Sequence, residues 1–177
     1  RSAGTVPFRV AYLRVDLLSD RGSAMTSTPD GRFDLRTGIT AAVDSPPHNI
    51  PYFVAHGEAL SRYYRAQSNG RLDLDVTVFP SSPDSAFHLS DLMDYGPWAV
   101  AADNVNVAAE AERFITAALN AAHASGEFDP ADFDAYIVVH AGADLQSDIN
   151  RDSPRDIPTF VLEFGDSLEI GGTRIGR

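Results

Sequence analysis

The run Ala135-Tyr136-Ile137-Val138-Val139-His140-Ala141 restricts the fold of this chain more than any other segment. A strand with one wet face alternates apolar and polar residues. A run this long without alternation reads as a strand covered on both faces, as in parallel sheets with helices above and below. Upstream lies an amphipathic helix whose stripe is Val107, Ala111, Phe114, Ile115, Ala118, Leu119 and Ala122, with Asp103 or Asn104 as its cap and Gly126 closing it. Nearer the N-terminus, Val6 to Leu18 is rich in β-formers and reads as a strand. Arg71 to Phe79 alternates strictly, with Leu72, Leu74, Val76 and Val78 on one face, until Pro80 ends it. Between these two, Phe53, Leu60, Tyr63, Tyr64 and Gln67 fall near a helical period over Tyr52 to Ser68, and Asn69-Gly70 supplies a left-handed C-cap. The expected fold is α/β in β-α-β-α-β order, with two main helices and long loops.

The remaining segments read as connections. Ser19 to Pro51 is a polar excursion with a short hairpin expected around Phe33 to Ile39, and Pro80 to Pro97 is a second loop. Asp129 to Asp134 is an acidic turn, Asp144 to Asp156 an acidic loop, Pro158 to Phe164 a further strand, and Gly171-Gly172 a turn opening another. With 177 residues, 44% of them hydrophobic, the chain reads as a single domain over 1–177. No run approaches the roughly 18 to 20 apolar residues of a membrane span. The chain begins at Arg1 without a signal-peptide core, so it is expected to be a processed or excised portion of a larger protein.

Charge and composition remove several function classes. A formal net charge of −11 repels phosphate, which argues against a nucleic-acid backbone or an anionic membrane as partner. All 14 basic residues are Arg, and Asp outnumbers Glu 19 to 6, which fits either a GC-rich coding bias or an acidic surface suited to a saline or calcium-bearing medium. The absence of Cys excludes disulfides, thiolate zinc sites and a Cys nucleophile.

Three motifs carry chemistry. Gly165-Asp166-Ser167-Leu168 follows a strand-like segment and is similar to the first block of GDSL-type esterases, where a Ser at a strand-to-helix turn is the nucleophile. That block normally opens its fold, with the proton-accepting His far downstream, whereas only nine residues follow Leu168. Five His stand at 48, 56, 88, 123 and 140, and no two of them share the i, i+4 spacing of a helical zinc site. His56 and His123 read as surface or helix-terminus residues. His140 ends the apolar run, where strand ends of α/β folds face a cleft, and a structural hydrogen bond is the alternative. In the acidic loop, Asp144, Asp148, Asn150 and Asp152 offer oxygen ligands, the last three spaced like the first half of a calcium loop. Ser153 stands where the Gly of an EF-hand belongs and Thr159 where its bidentate acid belongs, so that loop class is excluded and a solvated turn is the alternative.

The ordered segments carry a family resemblance. Tyr63-Tyr64-Arg65-Ala66-Gln67-Ser68-Asn69-Gly70-Arg71-Leu72-Asp73-Leu74 resembles the helix-to-strand junction of immune-inhibitor-A-like secreted zinc metallopeptidases. Phe128 to Tyr136 resembles their D-F-x-x-Y-D turn, His140-Ala141-Gly142 their HAG strand end, and Asp152 to Pro158 a loop of bacterial relatives. The similarity runs from about Val6 to Arg177. It implies the upper, zincin-like subdomain of a peptidase, a twisted mixed sheet backed by helices that walls a substrate cleft. The H-E-x-x-H helix that binds zinc in that family has no counterpart in 1–177, so no zinc ligand or catalytic Glu is assigned to any residue of this chain.

The expected function is therefore the fold- and cleft-forming N-terminal part of a secreted bacterial zinc metalloprotease domain, inactive alone. Expected partners are the remainder of the peptidase chain and a peptide or protein substrate. Zinc is expected from ligands outside the chain, and calcium at Asp144, Asp148, Asn150 and Asp152. Secretion or a cell-surface location follows from the same resemblance. The alternatives are a degenerate peptidase domain serving as a surface-binding or assembly module, and an esterase acting through Ser167.

Overall fold

The computed structural model describes residues 6–17, 31–41, 44–90, 95, 98, 107–142, 144–147, 156–163 and 168–175. Its elements are β1 (Val6–Leu17), α1 (Ile50–Gln67), β2 (Leu72–Phe79), β3 (Phe87–Leu89), α2 (Val107–Ala124), β4 (Ala135–His140), β5 (Leu168–Ile170) and β6 (Thr173–Ile175). The α/β class and the two main helices stand as expected. The order gains β3, inside the segment read as a loop, and an antiparallel β5–β6 ribbon after β4. No strand forms in 33–39, which is irregular chain.

β1 is the centre of a four-stranded parallel sheet. Residues 10–13 of β1 pair with both β2 and β4, which therefore lie on its opposite edges. β3 continues the β2 side, with Val15↔Phe87 through Leu17↔Leu89 in register. Alternate residues of β1 serve opposite faces. Ala11, Leu13, Val15 and Leu17 join the larger core with Phe114, Ala118, Leu119 and Ala122 of α2. Tyr12 packs with Phe53 of α1 and Val78 of β2 in a smaller core on the other face. Each helix thus covers one face, and the chain leaves β1 towards β2 through α1 and reaches β4 through α2.

Local chemistry accounts for the element ends. Asn69 and Gly70 adopt φ of 53° and 76°, and the Gly70 N–H donates to the Arg65 carbonyl at 2.8 Å, which ends α1 as the sequence indicates. In the acidic turn before β4, Asp129 accepts from the Ala131 N–H at 2.9 Å and Asp134 accepts from the Arg9 N–H at 2.8 Å. The Tyr136 hydroxyl donates to the Pro130 carbonyl at 2.8 Å. This turn is a splice that sets β4 against β1, and its Asp129 and Asp134 carboxylates serve backbone donors.

Two readings of burial differ from the structure. Every residue of β4 is only half-buried, because among the described residues the strand pairs with β1 alone and its other edge is open. On α1 the buried residues are Phe53 and Gly57, while Tyr63 and Tyr64 are 58% and 42% exposed. The contact runs through Gly57, where an added β-carbon would lie 2.9 Å from Val76 Cγ1, and through the Ser61 hydroxyl, which donates to the Leu74 carbonyl at 2.8 Å. The two tyrosines lie off that line.

Candidate functional site

Two concavities meet at the carboxyl end of β4. The larger is a groove of about 730 Å³ along the open β4 edge. β4 forms one wall, Phe114 and Ile115 of α2 contribute to its lining, and Pro158 to Glu163 form the opposite wall. Burial alternates residue by residue through 158–163, as in an extended chain. Phe160 and Leu162 pack on the larger core, Phe160 stacks on buried Trp98 at 5.9 Å between ring centroids, and Val161 is 93% exposed. The segment has the period-two pattern expected of the strand at Pro158 to Phe164, yet its described residues carry no strand ladder; an isolated bridge joins Asp144 to Ile157 just before it. The groove is thus bordered by the open edge of β4 and, opposite it, by extended chain in which the Thr159 N–H and carbonyl are already bonded to Asp144 and Gln146 side chains; an open strand edge is the geometry that accepts an added strand.

The smaller concavity, about 180 Å³, opens on the α1 face and shares Val139, His140 and Gly142 with the groove. It lies between β1 and β4, where the chain's winding direction reverses, the usual place for ligands in open α/β sheets. The loop before α1 and the first turns of α1 bring Phe33, Asp34, Asp44, His48, Tyr52, Phe53 and His56 around it. Tyr52 donates its hydroxyl to Asp44, 2.8 Å from both oxygens, and His48 Nε2 lies 3.3 Å from Asp44 Oδ2. The Tyr52 ring stands edge-on to His48 and 4.3 Å from His56 between centroids. Burial, with the adjoining Asp44 carboxylate, pushes the Tyr52 phenol well above its ordinary range. Asp34 is held down to about 2, first by its side-chain hydrogen bonds to Arg36.

His140 stands at the junction of the two. Its Nδ1 is 3.2 Å from the Ala141 carbonyl, so that nitrogen carries the proton, and the ring is edge-on to Phe114. Burial pulls its pKa down, opposed by that carbonyl and by the charge of Asp144. The other histidines are dispersed: His88 on β3 pairs with buried Asp16, and His123 packs against Gly171 in the β5–β6 turn.

Of the calcium candidates, Asp148, Asn150 and Asp152 lie outside the described residues, as does Ser167. Asp144 is described. Its Oδ1 accepts from the Gln146 and Thr159 N–H groups at 2.9 and 3.3 Å, and its Oδ2 accepts from the Thr159 hydroxyl at 2.9 Å. Its carboxylate ties the loop after β4 to the outer wall of the groove. Among the described residues no three His, Asp or Glu side chains are placed to hold a metal ion, so these residues do not fit a zinc site.

Reading the residues singly missed the smaller concavity. Asp44, His48, Tyr52 and His56 recur every four residues, a ladder visible in the sequence once carboxylate, phenol and imidazole are counted together. Comparison with protein-family models, with curated proteins and with solved structures finds no match for the chain.

Proposed function

We propose that residues 1–177 are the sheet-bearing, zincin-like part of a secreted bacterial metalloprotease domain and supply the wall along which an extended polypeptide lies. The observation that carries this reading is the groove of about 730 Å³ between the open β4 edge and the 158–163 segment. A polypeptide entering it can pair with outward backbone groups of β4 while its side chains meet the apolar lining, which selects extended chain over folded protein. The resemblance of His140-Ala141-Gly142 to the family's strand end supports the same placement, since His140 and Gly142 line the groove at the carboxyl end of β4.

On this reading the partners are the remainder of the peptidase chain and a peptide or protein substrate. The zinc-binding H-E-x-x-H belongs to that remainder. Zinc is assigned to ligands in that remainder, and calcium at Asp144, Asp148, Asn150 and Asp152 rests on the sequence spacing, three of these four lying outside the described residues; no step given to the described residues is routed through either ion. The chain's own residues bind and orient.

A peptidase assay of residues 1–177 with added zinc and an unfolded protein substrate tests the division of labour. No turnover is expected, together with an in-frame H-E-x-x-H beyond codon 177. Chelator-sensitive turnover by residues 1–177, or a reading frame without that motif, would overturn the proposal.

A further inference from the structure

We propose that the concavity on the α1 face receives the protonated side chain of an Arg or Lys carried by the polypeptide in the β4 groove. This inference rests on the groove reading, because the two concavities share Val139, His140 and Gly142, and a side chain leaving the groove at that corner enters the smaller space. Its volume of about 180 Å³ suits one long side chain and excludes a second folded element.

The lining selects a cation. Phe33 and Tyr52 present ring surfaces, which attract guanidinium or ammonium groups and pack against their methylene stems, while Phe53 is 3% exposed and its ring already lies 5.9 Å from the Arg14 guanidinium. The charges are unequal. Asp34 is already answered by Arg36, with bonds at 2.7 to 3.2 Å. Asp44 is held by a neutral phenol and stands beside an imidazole, and no Arg among the described residues pairs with it. One phenolic proton leaves most of a carboxylate's acceptor sites unused. Asp44 is also 53% exposed at its side chain, so an incoming cation reaches it without displacing the Tyr52 bond. The formal net charge of −11 favours approach of a basic peptide from solution.

The test titrates the protein with Nα-acetyl-arginine N-methylamide and, separately, with its norleucine counterpart, following side-chain and backbone NMR signals. The arginine probe is expected to shift Phe33, Tyr52 and Asp44 and to bind on the order of tenfold more tightly than the norleucine probe. Asp44→Asn is expected to abolish that preference. Glu58→Gln, which removes an equal charge on the exposed side of α1, is expected to retain it. Equal binding of the two probes, shifts confined to other surfaces, a preference that survives Asp44→Asn, or an equal loss in Glu58→Gln would each overturn the inference. The free probe needs no groove. Probe binding without protection of β4 by an extended peptide would remove the groove reading and leave the cation site, whereas the reverse pattern would remove the cation site alone.

Discussion

The Tyr52 hydroxyl lies 2.8 Å from both carboxylate oxygens of Asp44, so a single proton joins the first turn of α1 to the loop before it. Burial is the larger cause of the raised phenol pKa and Asp44 the next. In a pH titration of ring-labelled tyrosine, Tyr52 is expected to keep its proton above pH 10, the ordinary value. Asp44→Asn should let it ionise at lower pH, though still above the ordinary value, because the burial remains. An unchanged titration in Asp44→Asn would contradict the assignment.

His140 gives the fold an acid-side dependence. Its folded pKa is lowered by burial, so the unfolded chain takes up this proton first as pH falls below about 6.5. Its contribution is complete above that pH and is lost as pH drops towards the folded value. Denaturant titrations across this window should show a shallower decline in His140→Gln than in the parent protein. Parallel curves for the two proteins would remove His140 from the account.

At Gly57 the fold depends on the absence of a side chain. An alanine β-carbon would come within 2.9 Å of Val76 Cγ1, and Val76 is β-branched and cannot swing aside. Crowding of this kind costs about 1–3 kcal/mol, partly offset by the roughly 0.5–1 kcal/mol that alanine gains over glycine in a helix. Gly57→Ala should therefore lower stability by about 1–2 kcal/mol in chemical denaturation. Adding Val76→Ala should recover part of the loss, a coupling that a double-mutant cycle reads directly.

Arg14 is 1% exposed and donates to the carbonyls of Pro80, Ser82 and Pro83 at 2.7, 2.9 and 3.2 Å. These bonds fasten the segment between β2 and β3, where β1 passes from one partner to the other. Arg14→Met should cost about 3 kcal/mol or more, since it leaves several carbonyls without their charged donor. Lysine should restore only part, because one ammonium cannot reproduce the guanidinium fork. Urea denaturation of the two variants makes the comparison.

Residues whose roles are local were readable in advance. The α2 stripe became the larger core, and Asn69-Gly70 ends α1, because periodicity and φ preference act within a few residues. Arg14 was not readable. Its position in a strand of β-formers carries no sign of its partners, and only the carbonyls of a loop some 66 to 69 residues away make its burial tolerable. The openness of β4 was hidden for a related reason: an apolar run shows that both faces are covered but says nothing about edges, which depend on pairing. Tyr63 and Tyr64 kept the helical period while lying off the line of contact with β2. The Asp44, His48, Tyr52 ladder spans a loop and a helix start, so its members meet through tertiary placement.

In the proposed function, extended polypeptide lies between β4 and the 158–163 segment. Hydrogen–deuterium exchange of residues 1–177, with and without an unstructured peptide carrying alternate apolar residues and an arginine, tests it most directly. Slowed exchange is predicted at those β4 amides that do not bond to β1, every second residue from Ala135 to His140, together with amides in Phe160 to Glu163, since Pro158 has no N–H and the Thr159 N–H already donates to Asp144 and Gln146. Unchanged exchange at both walls while the peptide is bound, or protection confined to other surfaces, would contradict it.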